Sequence, residues 1–272
     1  MKHFEATVGA DRRGSRLDRV LADMNPDVSR SDVQRDIRAG RVSVGGQAVT
    51  QRSYRVREGD QLTWEITSKP PLNPRPLDLS ILHEDDHIVL VDKPAGLVVH
   101  PGAGTTTTTL VEALLVSRKL PASDDPTRPG IVHRLDKETS GVILVAKTPE
   151  ALTALQQQFS ARTTAKTYIA VVEGAVAEEE GWIDAPVGRD PRLPRRMAVQ
   201  PAGREAQTGF SVLRRLDHAT LLVVRPRTGR THQIRVHCRY IGHPVVGDPV
   251  YGTRSSRTVS YTHLTLPTIL LV

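Results

Sequence analysis

Four side chains able to act on a substrate crowd into one short stretch of the 272-residue chain, Gly130-Ile131-Val132-His133-Arg134-Leu135-Asp136-Lys137-Glu138-Thr139-Ser140-Gly141. They are His133, Arg134, Asp136 and Lys137. A carboxylate in such company can serve as a nucleophile or stabilise positive charge on a neighbouring carbon. Pro129-Gly130 and Gly141 bracket the stretch, and the apolar run Val142 to Val145 reads as a buried strand behind it. Polar loops pinned to a core strand are where rigid scaffolds present working groups. Taken alone, the composition favours a solvated turn with its charges outside.

A second concentration runs from Arg225 to His237, RPRTGRTHQIRVH. Its alternation of polar and apolar residues predicts a strand over 231–240. Thr231, Gln233, Arg235, His237 and Arg239 would share one face, and His232, Ile234, Val236, Cys238 and Tyr240 the other. Such a strand would line a wet cleft over a core. His232, His237, Cys238 and His243 are metal-ligand types, but the strand would separate His232 from His237. No CxxC or HExxH spacing occurs either, so no metal is expected. In the strand predicted over Lys166–Gly174, Tyr168 shares a face with Ala170 and Val172, and a buried phenol there needs a partner.

The elements that must position these groups are partly legible. Leu17, Val20 and Leu21 fall on one helical face that ends near Asn25-Pro26, and a second helix runs to about Arg38. Gly45-Gly46 predicts a tight hairpin turn between Arg41–Val44 and the return from Gln47. Arg30, Arg35, Arg38 and Arg41 cluster on this small unit. Residues 68–78, SKPPLNPRPLD, hold four prolines and predict a semi-rigid spacer at a domain boundary. Beyond it, ILHEDD and HIVLVDKPAG read as paired strands. Leu110–Val116 and Pro149–Phe159 read as helices, the latter facing a core through Leu152, Leu155 and Phe159.

The net charge of +7 is unevenly spread: residues 185–272 carry 14 basic residues, all arginine, against 4 acidic ones. Arginine grips phosphate through a planar fork, so this bias favours a nucleic-acid partner. The basic, proline-broken segment Gly188–Met197 is expected to touch phosphates. Aromatics at 4% are too few for a single-strand stacking platform. No window approaches the ~20 apolar residues of a membrane span. The lone Cys238 and the lack of a secretory start predict a cytoplasmic protein.

The string HRLDKETSG resembles the active-site signature of the RluA/RluD-type pseudouridine synthases. Lys166–Gly174 resembles the second motif of that family and RTGRTHQIRVH the third, while SRSDVQRDIRAGRVSVGGQAV resembles an S4 RNA-binding module. The resemblance implies an α+β chain with an S4 domain at 14–67, a linker at 68–78 and a catalytic domain at 79–252. That domain would hold a mixed, largely antiparallel sheet, flanked by helices, with a central cleft. It further implies isomerisation of uridine in structured RNA, large-subunit ribosomal RNA first, without cofactor or metal; the alternatives are a synthase directed to transfer RNA and an RNA-binding protein of the same fold without catalysis. Asp136 would be the nucleophile, Arg235 the cation that keeps it ionised in a dry cleft, and Tyr168 the residue against the uracil. Arg134 would fill the space of the flipped base, and Arg230 would join the S4 arginines in holding RNA. His133 is expected to be structural, and the protein to act as a monomer. Residues 253–272 lack the helix and final strand usual in the family, and are expected to be an atypical, non-native tail.

Overall fold

In the computed structural model, residues 2–26, 28, 30–66, 72–102, 105–123, 125–193, 196–253 and 269–270 are described. The chain divides into two units, residues 1–72 with 124–127, and residues 73–123 with 128–272. In the first, α1 (Leu17–Met24) and α2 (Arg30–Arg38) pack Leu17, Val20, Leu21, Val33 and Ile37 into one core. Strands β1 (Lys2–Thr7), β2 (Val42–Val44), β3 (Gln47–Ala48) and β4 (Gln61–Ile66) form an antiparallel sheet in the order β1-β4-β2-β3. Gly45 and Gly46 both take positive φ, 58° and 78°, which the two-residue hairpin requires. The expected helices and hairpin are present. β1 lies outside the 14–67 span, and its pairing with β4 supplies an edge that the sequence reading lacked.

Among its described residues the second unit holds three sheets. β5 (Ser80–Glu84), β6 (Ile88–Lys93) and β7 (Gly141–Ala146) form the first, in that order. β8 (Lys166–Glu173), β9 (Glu180–Asp184), β12 (Gln207–Arg215), β13 (Ala219–Pro226) and β14 (Ile269–Leu270) form the second, in the order β14-β8-β13-β12-β9. β10 (Val187–Arg189) and β11 (Met197–Val199) pair separately, so the basic segment after Gly188 is the end of a hairpin. Neighbouring strands in these sheets run antiparallel.

Helix α3 (Leu110–Leu114) starts at a capping box, Thr109 with Glu112, and α4 (Pro149–Ala161) at Thr148 with Pro149 behind it. β6 alternates in burial, with Val89 and Val91 sealed between the sheet and α3. Leu152 and Leu155 of α4 cover Leu144 and Ala146 of β7.

The strand expected over 231–240 is instead helix α5, Gln233–Tyr240. Ile234 and Cys238, four residues apart, enter the apolar core over β8 and β13, while Gln233, Val236 and His237 are also buried. Alternation along 231–240 was misleading because two buried residues, Gln233 and His237, are polar. The helical rows 233–236–237 and 234–238 account for the burial that period two does not. Of the atypical tail, 254–268 and 271–272 lie outside the described residues, and Ile269–Leu270 pairs with Thr167 and Lys166 of β8. No helix among the described residues is long and apolar enough to cross a membrane.

Candidate active site

The loop that carries Asp136 is fixed at three points. At its start, Gly130 adopts φ 69°, where an added Cβ would strike the Ala146 carbonyl, and its own carbonyl accepts the Ala146 N–H at 2.9 Å. In the middle, His133 accepts the Leu144 N–H at 2.9 Å and stacks on Phe159, ring centroids 5.0 Å apart. Burial, with help from the Lys166 charge, pushes its pKa down to about 4, so it is a neutral anchor. Past Asp136, the Lys137 carbonyl accepts from the Gly96 N–H at 2.9 Å and from the buried Lys93 ammonium at 3.0 Å. Lys93 also donates to the carbonyls of Pro94 and Leu97, both at 2.9 Å. Burial lowers its pKa to about 8, against the pull of Glu138 and Asp136. With Leu135 sunk into the core, Asp136 is left at 19% side-chain exposure.

Arg235 meets it from α5. Its Nη1 donates to Asp136 Oδ2 at 3.0 Å, while Nε and Nη2 grip the two Asp248 oxygens at 2.7 and 2.9 Å. Asp248 also accepts the backbone N–H groups of Val250 and Tyr251 and is nearly sealed. Burial opposes both charges, but each outweighs the penalty on the other: Asp248 holds the Arg235 pKa up, and Arg235 holds the Asp248 pKa down. Among the described residues the Asp136 carboxylate accepts one hydrogen bond, from Arg235, so most of its lone-pair capacity is open to a substrate.

Tyr168, on β8, packs against both neighbouring cores. Burial, and then the Asp136 charge, raise its phenol to about 12, so it is a proton-bearing group beside the carboxylate. His232 takes left-handed backbone, φ 56°, at the start of α5. The Tyr251 hydroxyl accepts the Met197 N–H at 3.0 Å and shares a hydrogen bond with His232 Nδ1 at 2.8 Å. The other ring nitrogen, Nε2, lies 3.9 Å from Asp136 Oδ2. Arg134 is exposed and lies near enough to His232 to oppose a charge there.

Asp136 and Arg235 thus meet directly, the Asp136 charge acts on Tyr168, and Arg134 acts on His232. Arg230 stands two residues before His232, its Nε on the Glu205 carbonyl at 2.9 Å. The first-unit arginines are committed locally. Arg30 bonds Asp18 at 3.1 Å, Arg35 bonds Asp32 at 2.6 Å, Arg41 bonds Asp36 at 3.1 Å, and Arg38 donates to the Gln34 carbonyl at 3.0 Å. Lys93, His232, Asp248 and Tyr251 escaped the sequence reading. The GDPVYG string holding Asp248 and Tyr251 gives a turn signal but no sign that a cation 13 residues upstream will close on it.

Metal-ligand types near the site are engaged in hydrogen bonds. His237 donates Nε2–H to the Ala185 carbonyl and accepts from Thr208, both at 2.9 Å, and His243 donates to the Glu173 carbonyl at 2.8 Å. The strand geometry that argued against a metal is replaced by a helix. His237 is nonetheless buried in structural bonds. Among the described residues no three His, Cys, Asp or Glu side chains group as a metal site.

Residues 87–240 match the RNA pseudouridylate synthase family, and residues 15–62 match the S4 domain. The chain belongs to the RNA pseudouridylate synthases. Over 251 residues it is 42% identical to ribosomal large subunit pseudouridine synthase D of Escherichia coli, covering 92% of this chain and 76% of that one. The Xanthomonas campestris protein of the same name is 44% identical over 250 residues, 91% of this chain and 74% of the relative. RNA pseudouridine synthase YlyB of Bacillus subtilis is 41% identical over 259 residues, 94% and 85% of the two chains. Among solved structures, human RNA pseudouridylate synthase domain containing 1 superposes with a TM-score of 0.58 at 26% identity, covering 75% and 80%. The α+β architecture and the RNA substrate of this synthase follow from those matches, with the signature loop inside the catalytic match.

Proposed function

We propose that this synthase isomerises specific uridines of large-subunit ribosomal RNA, with Asp136 as the nucleophile, acting as a monomer in the cytoplasm. The observation that carries the reading is the single-bonded Asp136 carboxylate, aimed by Arg235 and near enough to Tyr168 for its charge to help keep that phenol protonated. Isomerisation breaks the C1′–N1 bond, turns the uracil and joins C1′ to C5. N1 gains a proton, C5 loses one to solvent, and nothing else enters or leaves. Asp136 would attack or shield C1′ as that bond opens. Arg235 keeps a fixed cation on the carboxylate, and Tyr168 would lie against the ring and assist proton removal at C5. Arg134 would occupy the stack vacated by the flipped nucleotide. The printed names of the relatives in E. coli and X. campestris support the ribosomal assignment.

Glycosidic hydrolysis is less well supported. It needs a second carboxyl group able to give up a proton, about 5–10 Å away. Asp248 is bonded on both oxygens and its pKa is depressed, while Glu138 is exposed beside Lys137. The test is tritium release from C5-labelled ribosomal and transfer RNA transcripts, with pseudouridine scored alongside. Release from ribosomal RNA by the wild type and none by Asp136→Asn is expected. Free uracil would show hydrolysis, and turnover on transfer RNA alone would move the substrate.

A further inference from the structure

Two cations, Arg162 and Arg230, act on one carboxylate, Glu205, and two more, Arg204 and Lys166, lie within electrostatic reach of Arg230. Arg162 ends α4 in left-handed backbone, φ 60°, and its Nη1 and Nη2 reach Glu205 at 3.0 and 3.4 Å. Arg230 donates its Nε to the carbonyl of the same Glu205 at 2.9 Å. Arg204 is next to it in the chain and exposed. Lys166 opens β8 four residues after Arg162. It shares a face of β8 with Tyr168, ~6.6 Å along the strand. The charges act on one another: burial, then Arg204 and Arg162, lower the Arg230 pKa, and burial, then Arg162 and Arg230, lower that of Lys166. Glu205 offsets one of the four. A concentration of mutually repelling cations, with Arg230 and Lys166 partly desolvated, is stabilised by an anion.

We propose that Arg162, Lys166, Arg204 and Arg230 form a binding site for the RNA backbone phosphates that flank the target uridine. The inference rests on the RNA-isomerase reading and adds to it the place where the strand is held. Lys166 is two residues from Tyr168 and Arg230 two from His232, so the four cations adjoin segments that carry residues acting on or near Asp136. Arginine forks can take two oxygens of one phosphate. Arg162, released from Glu205, would exchange one carboxylate for one phosphate. Glu205 would then keep phosphate out of the site until the strand arrives with several contacts at once.

The test uses the full chain and a ribosomal transcript. KM, kcat and the dependence of binding on salt are measured for wild type, Arg204→Gln, Lys166→Gln and Lys166→Arg, with exposed Lys119→Gln as control. Each Gln variant in the cluster should raise KM with kcat kept, and lower the slope of log affinity against log salt by about 0.7 to 0.9. Lys166→Arg should restore both. A neutral methylphosphonate placed next to the target uridine should reproduce the loss in wild type and add nothing in Arg204→Gln. Cluster variants that match Lys119→Gln, or a loss independent of where the methylphosphonate sits, would overturn the proposal. Absence of pseudouridine with the wild type would count against the isomerase reading alone, because the salt slopes are read from binding.

Discussion

Arginine grips aspartate in both units of the chain, with opposite results. In the first unit Asp18 is fully buried and takes bonds from Arg16, Arg30 and Gln34, and Asp36 is fully buried and takes bonds from Arg35, Arg41 and the Trp64 indole. Neither carboxylate has capacity left for a ligand, while the arginines outside stay 38–51% exposed. In the second unit the saturation falls on Asp248, and Asp136 receives one bond. A satisfied ion pair holds a fold. An incompletely satisfied one, kept so by a rigid neighbour, is available for chemistry. The same comparison bears on RNA binding. The S4 arginines already have partners and would contact phosphate with their outer N–H groups, whereas the cluster at Glu205 has one carboxylate among four cations.

That contrast can be broken by substitution. Asp136→Asn should lower kcat by roughly 10⁴-fold or more in the tritium-release assay, with folding stability little changed. Asp18→Ala, in the saturated pair, should do the reverse: a stability loss of about 3–5 kcal/mol in urea unfolding, with kcat per folded molecule retained. A stable Asp18→Ala protein would remove the distinction. Asp248→Asn lies between the two. It loosens the clamp on Arg235, and kcat should fall by about 10²-fold with a smaller change in melting temperature. The smallest effect concerns pH. His133 has a folded pKa near 4, below the usual 6.5, so between those values the unfolded chain binds more protons. Its contribution is fully present above pH 6.5 and is lost as pH falls through 4, about 2 kcal/mol by pH 5. Urea midpoints of His133→Gln should therefore vary less between pH 7 and 5 than those of wild type.

Much of this site could be read from residue order, and the exceptions share a cause. Asp136 and Tyr168 lie in strings whose neighbours set their direction: a core strand behind one, period two around the other. The loop between Pro129 and Gly141 is anchored by His133, expected to be structural. Arg235 was placed on a strand and lies on a helix, since buried Gln233 and His237 are polar and counted as solvent-facing. Their partners, Thr208, Gln207, Thr228 and Ala185, come from strands and turns distant in sequence. Lys93 was passed over in the same way. A buried ammonium is read as a surface residue until the three carbonyls that hold it are in place. Local pattern reports apolar burial well. It is silent on polar burial, and here polar burial supports the site.

Gln233 and His237 carry a consequence for the reaction. Gln233 uses its whole amide, donating to Thr208 and the Gln207 carbonyl and accepting from Thr228 and the Arg230 N–H. His237, one turn on, binds Thr208 and Ala185. Two pegs at that spacing set both the roll and the axial position of α5, and Arg235 lies between them on the other side of the helix. The aim of the guanidinium is therefore decided when the chain folds. Little rotational freedom remains to be surrendered when a uridine arrives, and the entropy of alignment is met in advance by two side chains that never touch the substrate.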